Sequence, residues 1–386
     1  MTGASSTIQS EDCLTLNIWS KPTNSSGKAD KPVLVFFYGG RFTIGNTHTP
    51  FYNGTYFADA EDIIVVTVNY RLNIFGFPGT PGEVQNLGLR DQRVAVEWIR
   101  ENIASFGGNP RKITISGQSS GGVAVDYWSY AYKEDPIAHG LIAHSGNAFS
   151  FPVNAPEVPA RNWYNVSGQL GCGTSGDVLA CMRQQDWQDI KAAAAKVRPI
   201  PSSSVLRSIP PFYPTVDEET VFSDYLALAE AGNFTKLAQH QPMLLGNNQD
   251  EQGYYKIPAY ANGIDPTPGT RRVLPARILH MPQLNVPVWQ YRYFGDWDNT
   301  RLYPSSGAYH ATDLHMIFGG SGDASGIPPS PAQEQTTSLM QRAWAAFCKD
   351  PANGLSGVMK WPRFDPDEER RVSCVWLLTM IPCRIL

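Results

Sequence analysis

A serine hydroxyl is a weak nucleophile until an adjacent base takes its proton, so its placement matters as much as its identity. The stretch Gly117-Gln118-Ser119-Ser120-Gly121 offers the right placement. It follows the β-branched run Ile113-Thr114-Ile115 and precedes Gly122 and a helix-compatible segment. A strand, a G-x-S-x-G turn and a helix form a nucleophile elbow, a tight strained turn that lifts the serine oxygen clear of a sheet. Gly117 and Gly121 fit because strand and helix pack too closely there for a Cβ. The pentapeptide alone is common; the strand before it and the helix after it single out Ser119.

The base serving such a serine is usually histidine, oriented by a carboxylate. In sheets with this elbow the chain order is serine, acid, histidine, with acid and base on loops at the C-terminal ends of strands. His310 meets that placement, in the segment Pro304 to Asp313 just after a strand predicted to end near Phe294. His315 is its rival but opens the apolar run Met316-Ile317-Phe318 and reads as a packing residue. His48 and His139 fall in polar loops and His280 in a Pro-flanked segment. His144 sits on a strand close to the elbow helix, and His240 precedes its strand; all five read as structural. For the acid, Gly246 to Gly253 follows the strand at Met243 to Leu245 and carries Asp250 and Glu251. Spacing leaves both open, and a solvated loop charge is the alternative for each. An oxyanion hole needs backbone N–H groups aimed at developing charge. Ser120 supplies one, and the loop after the strand Val33 to Phe37 supplies others, with Gly39 and Gly40 letting the backbone come close.

The elements needed to hold these residues are readable in order. Glu11 to Trp19 alternates polar and apolar residues and reads as a strand. Pro32 to Phe37 and Asp62 to Val68 are short apolar runs suited to strands buried on both faces. Gly88 to Phe106 carries Val94/Trp98 and Ala95/Ile99/Ile103 at helical spacing and stops at Gly107-Gly108. Leu141 to His144, Pro242 to Leu245 and Val288 to Phe294 are further buried-strand candidates. Thr336 to Phe347 is a helix with Leu339/Ala343/Phe347 and Met340/Trp344 as apolar pairs. Strands alternating with helices predict a mostly parallel sheet flanked by helices. Residues 151–241 interrupt the alternation and read as an inserted lid region, in which Trp163, Phe212 and Tyr213 either line an acyl pocket or pack a core.

The composition is that of a globular protein: 386 residues, 42% hydrophobic, net charge −4. With no basic excess or Lys/Arg cluster, nucleic acid is not an expected partner. The N-terminus is polar and has no signal-peptide core. Sequons at Asn24, Asn53, Asn165 and Asn233 nevertheless point outside the cell, as do the six cysteines. Cys172 and Cys181 bracket a short Gly/Ser-rich loop, compatible with a local disulfide or with two buried thiols. The tail from Cys374 is too short, and too interrupted by Pro382 and Arg384, to span a membrane.

Together these stretches resemble the type-B carboxylesterases, the family of cholinesterases and fungal secreted esterases. The resemblance rests on Glu11 to Asn17, Tyr38 to Phe42, Asn69 to Leu72, Gly88 to Arg93, Phe106 to Pro110 and Gly117 to Gly122. Asp250-Glu251, Tyr309-His310 and Trp361-Pro362 continue it in family order. It implies an α/β-hydrolase fold in one domain, with a lid insertion at about 151–241. The activity it implies is serine carboxylic-ester hydrolysis of a small-molecule or lipid ester, with no metal or other cofactor and with secretion from the cell. It also implies the triad Ser119, Glu251 and His310, with Glu251 preferred to Asp250. The oxyanion glycines fall on Gly39 and Gly40, Ser120 stands for a usual alanine, and the family's lid disulfide falls on Cys172 and Cys181.

Four departures qualify what is inherited. Arg41 replaces a common third glycine, and Gln118 replaces a frequent glutamate, which weakens any case for a cationic substrate. The resemblance begins at Glu11, so the expectation is a truncated gene model lacking the family's first strands, signal peptide and Cys13's partner. The 59 residues from Glu251 to His310 are short for the family, and Val372 to Leu386 does not resemble its usual ending. The competing expectations are a non-catalytic interaction protein on the same fold and an inactive truncated product.

Overall fold

The computed structural model describes residues 9–22, 30–199, 209–233, 241–263 and 286–365, and the backbone of 372–376 and 379–383. Nine strands form one sheet in the order β1-β3-β2-β4-β5-β6-β7-β8-β9. They are β1 (Leu16–Trp19), β2 (Lys31–Phe37), β3 (Ile64–Val68), β4 (Gly108–Gln118) and β5 (Gly140–His144), followed by β6 (Met243–Asn248), β7 (Val288–Tyr293), β8 (Val372–Trp376) and β9 (Thr379–Cys383). Every pairing from β3 across to β8 is parallel; β1 and β9 run antiparallel at the two edges. This is a mostly parallel sheet flanked by helices, the α/β-hydrolase architecture.

The reason lies in the strand sequences. All seven residues of β2 and all five of β3 are buried, as β-branched and aromatic runs covered on both faces should be. The helix Ser120–Ala131 is buried on nearly every side and is itself largely apolar. The helix Pro331–Lys349 lies against the sheet through Met340, Trp344 and Phe347, each fully buried. Ser330 caps it by accepting the Gln333 N–H (3.3 Å), and Pro331 sits where a missing N–H costs nothing.

Several expectations change. The first strand is only four residues long, because Glu11 to Thr15 turns before joining β3. The helix predicted over Gly88 to Phe106 ends at Asn102 and tightens into a 3₁₀ turn at Ile103–Phe106. Only one of its two apolar rows faces inward. Ile99 and Ile103 are fully buried, whereas Val94 and Trp98 are 62% and 41% exposed. The pairing of β8 and β9 was not legible in the tail.

Between β5 and β6 the strand–helix alternation stops. Helices Glu157–Gln169, Leu179–Met182 and Trp187–Ala195 build a second small core around Trp163, Val166, Met182 and Phe212. Trp163 and Phe212 are therefore core side chains, and Tyr213 packs on Phe151 with ring centroids 6.1 Å apart. Cys172 and Cys181 form a disulfide beside this core. Among the described residues Cys13 and Cys348 are free thiols, and no helix is long and apolar enough to cross a membrane.

Strand order positions the chemistry. From β2 the chain moves out to β3 and then returns to the other side of β2 as β4. At such a switch point two neighbouring loops diverge and leave a crevice at the C-terminal strand ends. The loop after β2 carries Gly39 and Gly40; the loop after β4 carries Ser119.

Candidate active site

Ser119 sits at φ 57°, ψ −120°, between the end of β4 and the helix that starts at Ser120. That backbone is strained for any residue with a side chain and persists only where surrounding packing enforces it. The enforcement is visible: a Cβ on Gly117 would lie 2.2 Å from the Gly121 carbonyl oxygen, and one on Gly121 would lie 2.0 Å from that of Phe37. The Ser119 N–H donates to the His144 carbonyl (2.8 Å), pinning the elbow to β5.

The oxyanion candidates lie against this elbow. A Cβ on Gly39 would come within 2.8 Å of the Ser119 Cβ, so the loop backbone packs directly against Ser119. Gly40 has φ 123°, a conformation open to glycine, and is followed by Arg41 and Phe42, both at φ 58°. Arg41 thus adopts the left-handed backbone that a third glycine would take freely. Ser120, where alanine is usual, accepts the Phe42 N–H through its Oγ (3.2 Å) and ties the loop to the elbow helix. Among the described residues, neither the Gly40 nor the Ser120 N–H donates to a protein acceptor.

His310 and Glu251 are brought together across the loops that follow β7 and β6. His310 Nδ1 lies 2.5 Å from Glu251 Oε2. The other carboxylate oxygen, Oε1, accepts from Ser145 Oγ (2.6 Å) and from the Asn248 N–H (2.7 Å). Both side chains of the pair are nearly buried, at 9% and 12% exposure. Asp250, one residue earlier, turns the other way. Its carboxylate accepts the Ala308 N–H (3.2 Å) and braces the histidine loop, and burial raises its pKa above the ordinary range. Tyr255 and Tyr254 place their rings 5.4 Å and 6.4 Å from the His310 ring.

The remaining histidines fall elsewhere. His315 is buried, packs on Phe51 with centroids 4.6 Å apart, and has its pKa lowered to about 4 by burial, partly offset by the Asp313 charge. His144 is buried between Ser116 Oγ (3.0 Å from Nε2) and the Tyr291 hydroxyl (2.7 Å from Nδ1). His240, His280 and Asn24 lie outside the described residues. Asn165 and Asn233 are exposed, and Asn53 is half-buried.

Sequence reasoning passed over two of the partners here and read the third, Gln118, only for the charge it lacks. Ser145 and Asn248 hold Glu251, and Gln118 places its side-chain Nε2 3.0 Å from His310 Nε2. Position supplied a usable signal for two of them. Ser145 directly follows β5 and Asn248 closes β6, both at C-terminal strand ends where functional residues gather.

A family model described as the carboxylesterase family matches residues 1–265. The chain is 31% identical over 391 residues to a secreted lipase 5 of Gibberella zeae, covering 93% of this chain and 71% of that protein. It is 32% identical over 357 residues to a chlorogenic acid esterase of Aspergillus niger, covering 89% and 67%. A cholinesterase of Mus musculus is 37% identical over 251 residues, covering 63% of this chain and 39% of its own.

Proposed function

The chain belongs to the carboxylesterase family and is a carboxylic ester hydrolase, and from that premise we propose that it works through an acyl-enzyme on Ser119. His310 Nε2 takes the Ser119 proton as Oγ attacks the ester carbonyl, and Glu251 orients the ring and stabilises the imidazolium. The N–H groups of Gly39, Gly40 and Ser120 hold the tetrahedral oxyanion. His310 returns the proton to the departing alcohol, and water then hydrolyses the acyl-enzyme by the same route in reverse. The reading treats the polypeptide as one domain, with residues of about 151–241 as a lid over the crevice.

The observation that carries it is the His310–Glu251 pair, together with a strained serine packed among Gly39, Gly117 and Gly121, none of which has room for a Cβ. A carboxylate accepting from Nδ1–H leaves the lone pair on Nε2, the tautomer a general base requires. The substrate is a small-molecule or lipid ester. Gln118, in place of a carboxylate, disfavours a cationic one. Secretion is supported by the fungal relative's name, by the disulfide and by the sequons, with Asn53, Asn165 and Asn233 as acceptors.

The test is labelling with a fluorophosphonate followed by peptide mass spectrometry, with Ser119→Ala and heat-unfolded protein as controls. A stoichiometric adduct on Ser119, lost in both controls, is expected. A folded chain that takes no adduct would overturn the esterase mechanism and favour a binding role on the same fold.

A further inference from the structure

Gln118 closes β4 one residue before the nucleophile, and the triad makes no use of its side chain. That side chain is buried, and its Nε2 lies 3.0 Å from Nε2 of His310. Across the ring, Nδ1 faces the Glu251 carboxylate at 2.5 Å. A carboxylate only accepts, so Nδ1 carries the proton and Nε2 the lone pair. A carboxamide meets a lone pair with its NH₂ group, which settles the orientation of the amide. Nε2 points to the ring and Oε1 to Gly39, where a Cβ would come within 2.6 Å of it. The Ser119 hydroxyl makes no hydrogen bond with His310 in this arrangement.

We infer that Gln118 is a latch on the base: in the resting enzyme it occupies the lone pair that must receive the Ser119 proton, and it must let go before acylation. The inference rests on the triad assigned above. The bond exists only while the imidazole is neutral. As the Ser119 O–H bond breaks, its proton moves to Nε2 and the Oγ–carbon bond forms. An N–H then faces the amide N–H, and the two repel until the amide turns. An interaction made in the ground state and absent from the transition state slows the chemical step. Release has a source on the same side chain. The amide oxygen rests against Gly39, so an ester carbonyl seated in the hole presses on the latch that guards it. A glutamate here would only accept and could not hold a neutral Nε2. The latch is a property of the amide.

The experiment compares the second-order rate of Ser119 phosphonylation by a fluorophosphonate in the wild type, Gln118→Met and Gln118→Asn. Methionine keeps the length without a donor; asparagine keeps the amide on a stem one methylene shorter. Both variants should label about fivefold faster than wild type, the equivalent of one net hydrogen bond. In ¹⁵N NMR of the imidazoles, the His310 Nε2 resonance should move toward that of a lone pair without a donor, while Nδ1 stays in place. Rates equal to or below wild type, with the adduct still on Ser119, would overturn the latch and leave the esterase mechanism intact. No adduct in any of the three folded proteins would overturn both. Should the methionine variant not fold, the asparagine variant decides alone.

Discussion

Ser116 and Ser119 lie three residues apart around the end of β4: one histidine bonds Ser116 itself, and another bonds Gln118, the residue before Ser119, and each histidine leads to a carboxylate. From Ser116 the route is His144 Nε2 (3.0 Å), the Tyr291 hydroxyl on Nδ1 (2.7 Å), then Asp313 Oδ2, which accepts from that hydroxyl (2.6 Å). Beside Ser119 the pair is His310 and Glu251, with Gln118 rather than the Ser119 hydroxyl on His310 Nε2. The residue types are nearly the same, and the surroundings differ. Ser116 stands within β4, paired in register with β2 and β5, and its whole relay is buried. Ser119 stands on the elbow at positive φ, against the loop of Gly39 and Gly40, where a Cβ on Gly39 would meet the serine's own Cβ. The contrast teaches that a serine, a histidine and an acid in line do not make a reactive site. What sets Ser119 apart is a strained backbone at positive φ packed against a glycine-lined loop.

The two relays also share a part. Asn248 donates from its backbone to Glu251 and from its side chain to Asp313 Oδ1 (3.1 Å) and to the Tyr309 carbonyl (2.6 Å), next to His310. The buried relay thus braces Glu251 and the chain just before His310.

The sharpest way to break the comparison is to remove each serine oxygen. Ser119→Ala should lower kcat for a chromogenic ester by about 10⁴- to 10⁶-fold with the fold unchanged. Ser116→Ala should keep kcat within a few-fold and instead cost about 1–3 kcal/mol of stability, because His144 Nε2 loses its partner in the core. A large rate loss in Ser116→Ala would erase the distinction.

Exchanging the acids comes next. Glu251→Gln should reduce kcat by about 10⁴-fold with a small change in Tm. Asp313→Ala should do the reverse, destabilising by about 3–5 kcal/mol in urea unfolding because the Tyr291 hydroxyl and the Asn248 amide lose a buried acceptor and His144 loses its nearby carboxylate. Burial pushes the Asp313 pKa up, but hydrogen bonds from His144, Tyr291 and Asn248 outweigh it and hold the carboxyl below its ordinary value. A depressed carboxylate stabilises above its unfolded pKa, so this contribution should vanish as pH falls below about 4.

The smallest effect separates His315 from both relays. Held neutral with a pKa of about 4 against 6.5 when unfolded, it must charge on unfolding in acid. Stability should therefore fall between about pH 6.5 and 4, by roughly 3 kcal/mol at most. His315→Phe should flatten that part of a Tm-against-pH curve while leaving ester hydrolysis at neutral pH in place. An unchanged slope would remove His315 as its source.

Much of this was legible because it is local. The elbow, the glycines after β2 and the buried strands all follow from short runs whose backbone strain or β-branched packing is dictated by near neighbours. What was not legible depended on distant partners. Nothing in the sequence of Leu87–Asn102 says that Ile99 faces the sheet and Val94 the solvent, since both rows have helical spacing. From the residues alone Asp250 and Glu251 stayed equivalent; the family resemblance preferred Glu251, and the turn after β6 sends one to the Ala308 N–H and the other to His310.

Local chemistry alone therefore determined the strained turn at Ser119, the glycine-lined loop and the parallel sheet that carries them. Only the tertiary structure decided which histidine meets Glu251 beside the elbow and which joins the relay through Tyr291 to Asp313. It alone brought Gln118 to a ring 192 residues away in sequence. The reason is physical: strand order and register set which loop ends meet, and those depend on packing over the whole sheet rather than on any one segment's pattern.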